Sequence, residues 1–168
     1  TEIYTLSLHD ALPISARMLL NGLRQKMVSH SYILEGPRGT KRVDAAILFA
    51  KTMLCQKRDE AFNPCGECHN CIRIDKLTHP NVFYVGAAGE WIRKRQIKDL
   101  LQEFSRASVE PGPRIYIIDE AEKLNQEAGN TLLKTMEEPG NEIYQIMLTT
   151  QLSRSEERRV GKECRSRW

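Results

Sequence analysis

The sequence predicts an α/β domain built on a parallel sheet. Short apolar runs alternate along the chain with segments of helical apolar spacing, which is the pattern of strand–helix–strand units. The runs are apolar at consecutive positions, as expected of strands that are buried on both faces. The chain has 168 residues, about one domain, of which 40% are apolar and 28% charged. No stretch approaches the ~18 consecutive apolar residues of a membrane span, so a membrane protein is excluded.

The first half of the chain contains two predicted helices, one strand and an irregular segment. Apolar residues recur at helical spacing over residues 16–28, which predicts the first helix. A short apolar run over 31–35 ends at a glycine and predicts the first strand. Helical spacing returns over 41–54. Residues 55–71 hold four cysteines with asparagine, proline and glycine, so we predict an inserted loop without regular structure.

The second half of the chain continues the alternation. An apolar run over 81–85 predicts a strand, and a basic amphipathic helix is predicted over 92–104. Residues 115–118 predict the third strand, after a Pro-Gly-Pro turn. A helix over 126–138 ends before a Pro-Gly pair, and residues 144–148 predict the fourth strand. No internal repeat or low-complexity segment interrupts this order.

Both ends of the chain are expected to be foreign to the protein. The DNA sequence CACGACGCTCTTCCGATC encodes residues 9–14, and its reverse complement, preceded by A and followed by TA, encodes residues 154–160. The two ends therefore resemble translated sequencing-adapter DNA. A signal peptide is the alternative at the N-terminus, but the segment lacks a positively charged start and its apolar residues are interrupted. We expect residues 1–14 and 154–168 to be adapter-derived, and residues 15–153 to be a native fragment.

The turn between the first predicted strand and the second predicted helix has the context of a phosphate-binding loop. Such loops follow G-x-x-x-x-G-K-[ST], in which the lysine contacts the outer phosphates and the hydroxyl holds Mg²⁺. Counted from Gly36, the last three positions hold Lys41, Arg42 and Val43 instead. Val43 has no oxygen for Mg²⁺, and a plain strand-to-helix turn remains the alternative. The candidate residues of this degenerate loop are Gly36, Gly39, Thr40, Lys41 and Arg42.

Two carboxylates follow the third predicted strand directly. Asp119 and Glu120 stand where a Walker-B-like pair would hold the metal of Mg·ATP and orient the attacking water. The alternative is that the pair begins the next helix, where acidic residues favour the helix dipole. The position about 80 residues after the degenerate loop favours the first interpretation.

Four cysteines in the native segment predict a metal site. Three of them follow a Cys-x₂-Cys-x₂-Cys spacing and the fourth lies ten residues earlier, which suits tetrahedral zinc. Iron–sulfur ligation and free structural cysteines are the alternatives. Two histidines lie nearby, but four thiolates already complete a tetrahedral set. The predicted ligands of one structural Zn²⁺ are Cys55, Cys65, Cys68 and Cys71, and Cys164 is excluded with the tail.

The basic helix is a weaker candidate for phosphate contact. Arg93, Lys94, Arg95 and Lys98 could touch phosphates, although a solvated charged face is the commoner explanation of such a run. The formal net charge of the whole chain is +3, which does not indicate nucleic-acid binding by itself.

Motifs across almost the whole native segment resemble a known family. They are SHSYILEGPRGT (29–40), the four-cysteine segment (55–71), HPNVFYV (79–85), IYIIDEAEKL (115–124), NTLLKTMEEPG (130–140) and IMLTT (146–150). In this order they resemble the AAA+ subunits of the bacterial clamp loader of DNA polymerase III. The resemblance implies a RecA-like AAA+ parallel sheet with an inserted four-cysteine zinc module, truncated after its fourth strand.

The resemblance also implies a role in DNA replication. Gamma/tau subunits of this family hydrolyse ATP with an intact G-K-[ST], whereas the delta-prime subunit often has a degraded loop and does not hydrolyse ATP. The Lys-Arg-Val departure therefore favours the delta-prime branch. We expect structural zinc, at most weak binding of ATP and Mg²⁺, and neither polymerase activity nor ATP turnover from this chain. An ATP-hydrolysing gamma/tau-like subunit and a zinc-dependent nucleic-acid-binding module remain the alternatives.

Partners and location are implied by the same resemblance. The expected partners are the gamma/tau and delta subunits, the sliding clamp indirectly, and primed DNA through the complex, in the cytoplasm at the nucleoid-associated replisome. No membrane contact is expected. The family's Ser-Arg-Cys motif should lie beyond residue 153, so the run over 153–155 is not that motif.

Overall fold

The computed structural model describes residues 14–25, 27–87, 89–105, 110–137 and 142–150. Four strands form one sheet: β1 (Ser31–Glu35), β2 (Val82–Val85), β3 (Arg114–Ile118) and β4 (Ile143–Thr149). All neighbours are parallel, in the order β1-β4-β3-β2. The predicted parallel sheet is confirmed, and each strand agrees with its prediction to within one residue at either end.

Helices cover both faces of the sheet. They are α1 (Ile14–Arg24), α2 (Arg42–Leu54), α3 (His69–Asp75), α4 (Lys94–Ser105) and α5 (Gln126–Glu137). Alternate residues of β3 enter two separate cores, because successive side chains of a strand point to opposite faces. Ile115 and Ile117 pack with α1, α2 and α3 on one face. Tyr116 and Ile118 pack with α4 and α5 on the other.

The strand order brings three loops to one edge of the sheet. β1 lies beside β4, with Leu34 opposite Leu148, and β4 lies beside β3. The segments that follow these strands therefore meet at the carboxyl edge. This is the edge at which open α/β sheets bind ligands, where the strand order reverses.

The structure corrects three predicted boundaries. Residues 69–71 belong to α3, whereas the whole 55–71 segment was expected to lack regular structure; a seven-residue helix is too short to show a periodic pattern. α4 begins at Lys94 because Ile92 before it is held in an isolated parallel bridge to Leu124. α1 ends at Arg24, where the Met27 N–H donates to the Gly22 carbonyl in a bond typical of helix ends, and Met27 is exposed.

Several expectations fall outside the described residues. Residues 1–13 and 151–168, which include almost all of the expected adapter-derived ends, lie beyond them, and α1 begins at Ile14. The Pro-Gly pair expected to stop α5 also lies beyond them. Among the helices described, none is both long enough and apolar enough to span a bilayer.

Candidate functional site

The four predicted metal ligands lie together at the C-terminal end of α2. The Sγ atoms of Cys55, Cys65, Cys68 and Cys71 are all within 4.8 Å of one another. The Cys55 sulfur is 3.6 Å from that of Cys65 and 4.0 Å from that of Cys68. Tetrahedral zinc with Zn–S bonds of ~2.3 Å would hold its sulfurs about 3.8 Å apart. The cluster can therefore hold one tetrahedral metal ion with little rearrangement.

Local backbone geometry brings these sulfurs together. Cys55 leaves α2 in an extended conformation and so turns away from the helix axis. Gly66 has φ +77°, a conformation that favours glycine, and lets the chain reverse between the second and third ligands. Cys68 is the N-cap of α3, and Cys71 lies in the first turn of that helix. Two ligands therefore depend on the position of one short helix.

The two buried thiols, those of Cys68 and Cys71, have strongly shifted pKa values. Burial raises the pKa of Cys68, but hydrogen bonds from the backbone N–H groups of Cys71 and Gln56 outweigh it and bring the pKa to about 6. Burial, followed by its hydrogen bond with Cys68, raises the pKa of Cys71. One thiol of this pair thus ionises readily and keeps a proton on its neighbour. A bound cation would favour the thiolate form of both.

The degenerate loop, residues 36–41, joins β1 to α2 at the carboxyl edge of the sheet. The Gly36 N–H donates to the Thr149 carbonyl at 3.1 Å, which fixes the start of the loop beside β4. Gly39 has φ +84°, so the loop requires a glycine there. The Thr40 hydroxyl donates to the Pro37 carbonyl at 2.8 Å and closes the turn. The loop keeps the shape of a strand-to-helix turn at a helix N-terminus.

The side chains at the end of this loop do not reproduce a nucleotide site. Val43 packs against the core of the α1–α3 face, so the position that should offer a metal-binding hydroxyl points an apolar group inward. Lys41 is the N-cap of α2 and makes no side-chain capping bond. The Arg42 Nη1 atom is buried and has no hydrogen-bond partner within the described ranges. Arg42 therefore keeps a positive charge next to the loop. The glycine at position 41 and the hydroxyl at position 43 that a phosphate-binding loop requires are missing.

The acidic pair lies beside this loop, and its carboxylates already have partners. Asp119 accepts a hydrogen bond from the Tyr84 hydroxyl at 2.6 Å. Glu120 lies 2.9 Å from the Lys123 ammonium and 3.5 Å from the Arg38 guanidinium of the loop. Glu120 also has φ +53°, an unfavourable conformation for a residue with a side chain, which these contacts help to hold. Burial and the bond to Asp119 raise the pKa of Tyr84.

The basic helix borders a shallow open depression of about 600 Å³. Trp91 is 51% exposed at its rim, beside Arg93 and Arg95. Lys94 lies 3.3 Å from Glu127, so part of the positive charge is already paired. The depression lies at the starts of α4 and α5, on the sheet face opposite the cysteine cluster.

Several residues of these sites escaped the sequence analysis. Tyr84, Arg38 and Lys123 engage the acidic pair, and Glu122 accepts the Thr150 hydroxyl at 2.7 Å on the same edge. Arg73 pairs with Glu110 beside the cysteine cluster. None of them carries a spacing signal, because each pair except Glu120–Lys123 joins residues far apart in sequence. The strand order, which a single sequence does not show, is what brings them together.

Comparison with known proteins supports the resemblance. The model of the family described as "DNA polymerase III, delta subunit" matches residues 12–155. The chain is 35% identical over 147 residues to DNA polymerase III subunit delta′ of Bacillus subtilis (strain 168), covering 88% of this chain and 44% of that protein. It is 37% identical over 137 residues to subunit tau of the same organism, covering 80% of this chain and 24% of that protein. The chain thus spans less than half the length of either relative.

A solved structure supports the fold. The DNA polymerase III gamma subunit-related protein from Thermotoga maritima superposes with a TM-score of 0.54 at 14% identity, covering 81% of this chain and 39% of that one. The expected RecA-like AAA+ α/β fold is confirmed, and so is the expected resemblance to subunits of DNA polymerase III. Since the family model matches residues 12–155, well over half of the sequence, the chain belongs to the DNA polymerase III delta subunit family.

Proposed function

We propose that this chain is the sheet domain of a delta′-type clamp-loader subunit of DNA polymerase III. In this role it binds neighbouring gamma/tau and delta subunits in the cytoplasm, and contacts the sliding clamp and primed DNA through the complex. It contributes a rigid AAA+ domain and does not hydrolyse ATP itself. The match to a delta′ subunit and the altered phosphate loop support this role.

The carboxyl edge of the sheet carries the argument against ATP turnover. Hydrolysis needs a metal bridging the outer phosphates, held by a hydroxyl at the position of Val43. That side chain packs into the core. Glu120, which would orient the attacking water, is paired with Arg38 and Lys123. Two parts of the hydrolytic site are therefore missing or engaged elsewhere.

The test is steady-state ATPase activity of the complete natural subunit that contains residues 15–153. We expect no turnover above background, and assembly of the subunit into an active clamp-loading complex. The Glu120→Gln variant controls for contaminating ATPases. Robust turnover that this variant abolishes would contradict the delta′ assignment.

An ATP-hydrolysing gamma/tau-like subunit is the second candidate. The 37% identity to subunit tau of Bacillus subtilis favours it. The same ATPase assay separates the two candidates, because only the gamma/tau-like subunit would turn over ATP in a manner that depends on Glu120. The missing glycine and hydroxyl at positions 41 and 43 weigh against it.

We also propose that Cys55, Cys65, Cys68 and Cys71 hold one structural Zn²⁺. Four thiolates are a typical closed zinc set, and the sulfur separations fit it. The thirteen residues of α2 separate the cluster from the phosphate loop by about 20 Å, so the metal has no access to bound phosphates. Zinc bound here would cross-link the end of α2 to α3. Metal analysis of the purified chain should find one zinc per chain, and its absence would refute the assignment.

A zinc-dependent nucleic-acid-binding module is the third candidate. It would require the chain to bind DNA with salt-dependent affinity that is lost on chelation. The exposed basic side chains around Trp91 lie on the face opposite the cysteine cluster, so contact through them would not need zinc. Titration of a labelled oligonucleotide with and without chelator tests this candidate.

The native segment 15–153, with its zinc module at 55–71, remains part of the proposal. If the two ends are adapter-derived, their removal should change nothing. A chain without residues 1–13 and 154–168, which keeps Ile14 because α1 begins there, should retain the same Tm and metal content. A lower Tm would count against the adapter origin.

A further inference from the structure

A chain of hydrogen bonds outside the cysteine cluster links two chain segments that carry ligands. It begins at Glu110, which lies 39 residues after Cys71 in the sequence. Both oxygens of the Glu110 carboxylate accept from the Arg73 guanidinium, each at 2.7 Å. The same Arg73 Nη2 atom donates to the Asn70 side-chain oxygen at 2.9 Å.

The network continues to the backbone next to another ligand. The Asn70 amide nitrogen donates to the Leu54 carbonyl at 2.8 Å. Leu54 precedes the ligand Cys55, while Asn70 lies between the ligands Cys68 and Cys71. One carboxylate thus orients the guanidinium, which orients the amide that joins α3 to the end of α2.

The short helix needs such support. α3 has seven residues, far fewer than the ~12–15 at which an isolated helix becomes marginally stable. It supplies two of the four sulfurs, so its orientation decides whether the cluster is tetrahedral. The fully buried Ile74 and the ion pair from Asp75 to Lys51 of α2 also hold it. The Asn70 amide adds a hydrogen bond to the Leu54 carbonyl, directly before Cys55.

We propose that Glu110 and Arg73 are positioning residues of the four-cysteine metal site, so that metal affinity depends on a carboxylate remote from the ligands in sequence. The inference rests on the proposed zinc site. Groups that orient ligands typically change metal affinity by 10–100-fold when mutated. The Glu110 side chain is 35% exposed, so we expect the lower part of that range or slightly less, roughly 3- to 10-fold.

The coupling is reciprocal. If the contact between Glu110 and Arg73 raises the affinity for the metal, bound metal must stabilise that contact by the same factor. Glu110 precedes the Pro-Gly-Pro turn that leads into β3, and its backbone carbonyl accepts from the Asn81 side chain at 3.1 Å. Metal should therefore slow hydrogen exchange at the backbone amides of Glu110, Gly112 and Arg114, although no ligand lies there.

The experiment measures the affinity of the 168-residue chain for Zn²⁺ against a colorimetric chelator. The four proteins of the cycle are the wild type, Glu110→Gln, Arg73→Gln and the double variant. Each single variant should bind Zn²⁺ roughly 3- to 10-fold more weakly, and the double variant should be no weaker than the worse single variant. Arg73→Lys should be intermediate, because it keeps the charge but loses the fork that reaches both Glu110 and Asn70.

A matched control variant and a spectroscopic measurement distinguish an effect on the geometry of the metal ligands from a general loss of folding stability. Glu127→Gln removes a surface ion pair on the opposite face and should leave Zn²⁺ affinity unchanged. With Co²⁺ as probe, the tetrahedral d–d bands of Glu110→Gln should be weaker or displaced relative to the wild type. Wild-type affinity in Glu110→Gln, or additive losses in the double variant, would overturn the inference. A wild-type chain that binds no metal would instead refute the proposed zinc site.

Discussion

Replacement of Cys71 by serine should lower the free energy of unfolding by an amount that depends on metal. Cys71 is fully buried, so without metal the variant buries a hydroxyl in place of a thiol, at a cost of about 1–3 kcal/mol. With free zinc at 100 times its Kd, binding stabilises the wild-type chain by a further ~2.7 kcal/mol. The variant loses a ligand and most of that contribution. The total cost should therefore rise to about 4–6 kcal/mol in zinc.

The assay is urea unfolding followed by far-UV circular dichroism, under reducing conditions. Each protein is measured once in buffered zinc and once in excess chelator. Cys164→Ser is the matched control, because Cys164 lies in the tail that was excluded from the ligand set, and its cost should be near zero in both buffers. A Cys71→Ser cost that is the same with and without zinc would refute the metal site.

Two further predictions concern stability. Arg114→Lys should lower the free energy of unfolding by about 1–3 kcal/mol, measured by urea unfolding, because the guanidinium lies 4.5 Å from the Phe104 ring centre and donates to the Phe104 carbonyl. Burial lowers the pKa of His79 below its ordinary 6.5, so the unfolded chain binds the proton more readily. The metal-free chain should therefore lose stability as the pH falls below about 6.5. His79→Gln should lose less between pH 7.5 and pH 5.5, and an unchanged pH dependence would contradict this reasoning.

The sheet was predictable because its signal is local. A buried parallel strand reads as a run of apolar residues, and Ile115–Ile118 is such a run whichever strand lies beside it. The order of the strands has no local signal, since it depends on which strands pair after the chain has crossed the sheet. The strand order nevertheless places Glu120 near Arg38, and the Tyr84 hydroxyl within hydrogen-bonding distance of Asp119.

The clustering of the four cysteines was predictable from their spacing alone, and the surroundings of the cluster were not. Short Cys-x₂-Cys intervals bring sulfurs together through local turns, as Gly66 does here. Arg73 and Glu110 belong to separate segments and carry no pattern that pairs them. α3 was missed for a related reason: its seven residues include cysteine, histidine and asparagine, which favour helices weakly, and tertiary contacts stabilise it instead.

A last prediction concerns the degenerate phosphate loop at the carboxyl edge of the sheet. A triple variant, Lys41→Gly, Arg42→Lys and Val43→Thr, would restore the sequence of a phosphate-binding loop. It should bind ATP measurably, because the loop already has its turn and helix N-terminus. It should not hydrolyse ATP, because Glu120 stays paired with Arg38 and Lys123. Equilibrium binding of a fluorescent ATP analogue and steady-state ATPase assays measure the two effects separately. Turnover in the triple variant would show that the ion pairs with Arg38 and Lys123 do not prevent Glu120 from acting in hydrolysis. The three loop positions alone would then explain why the natural chain does not hydrolyse ATP.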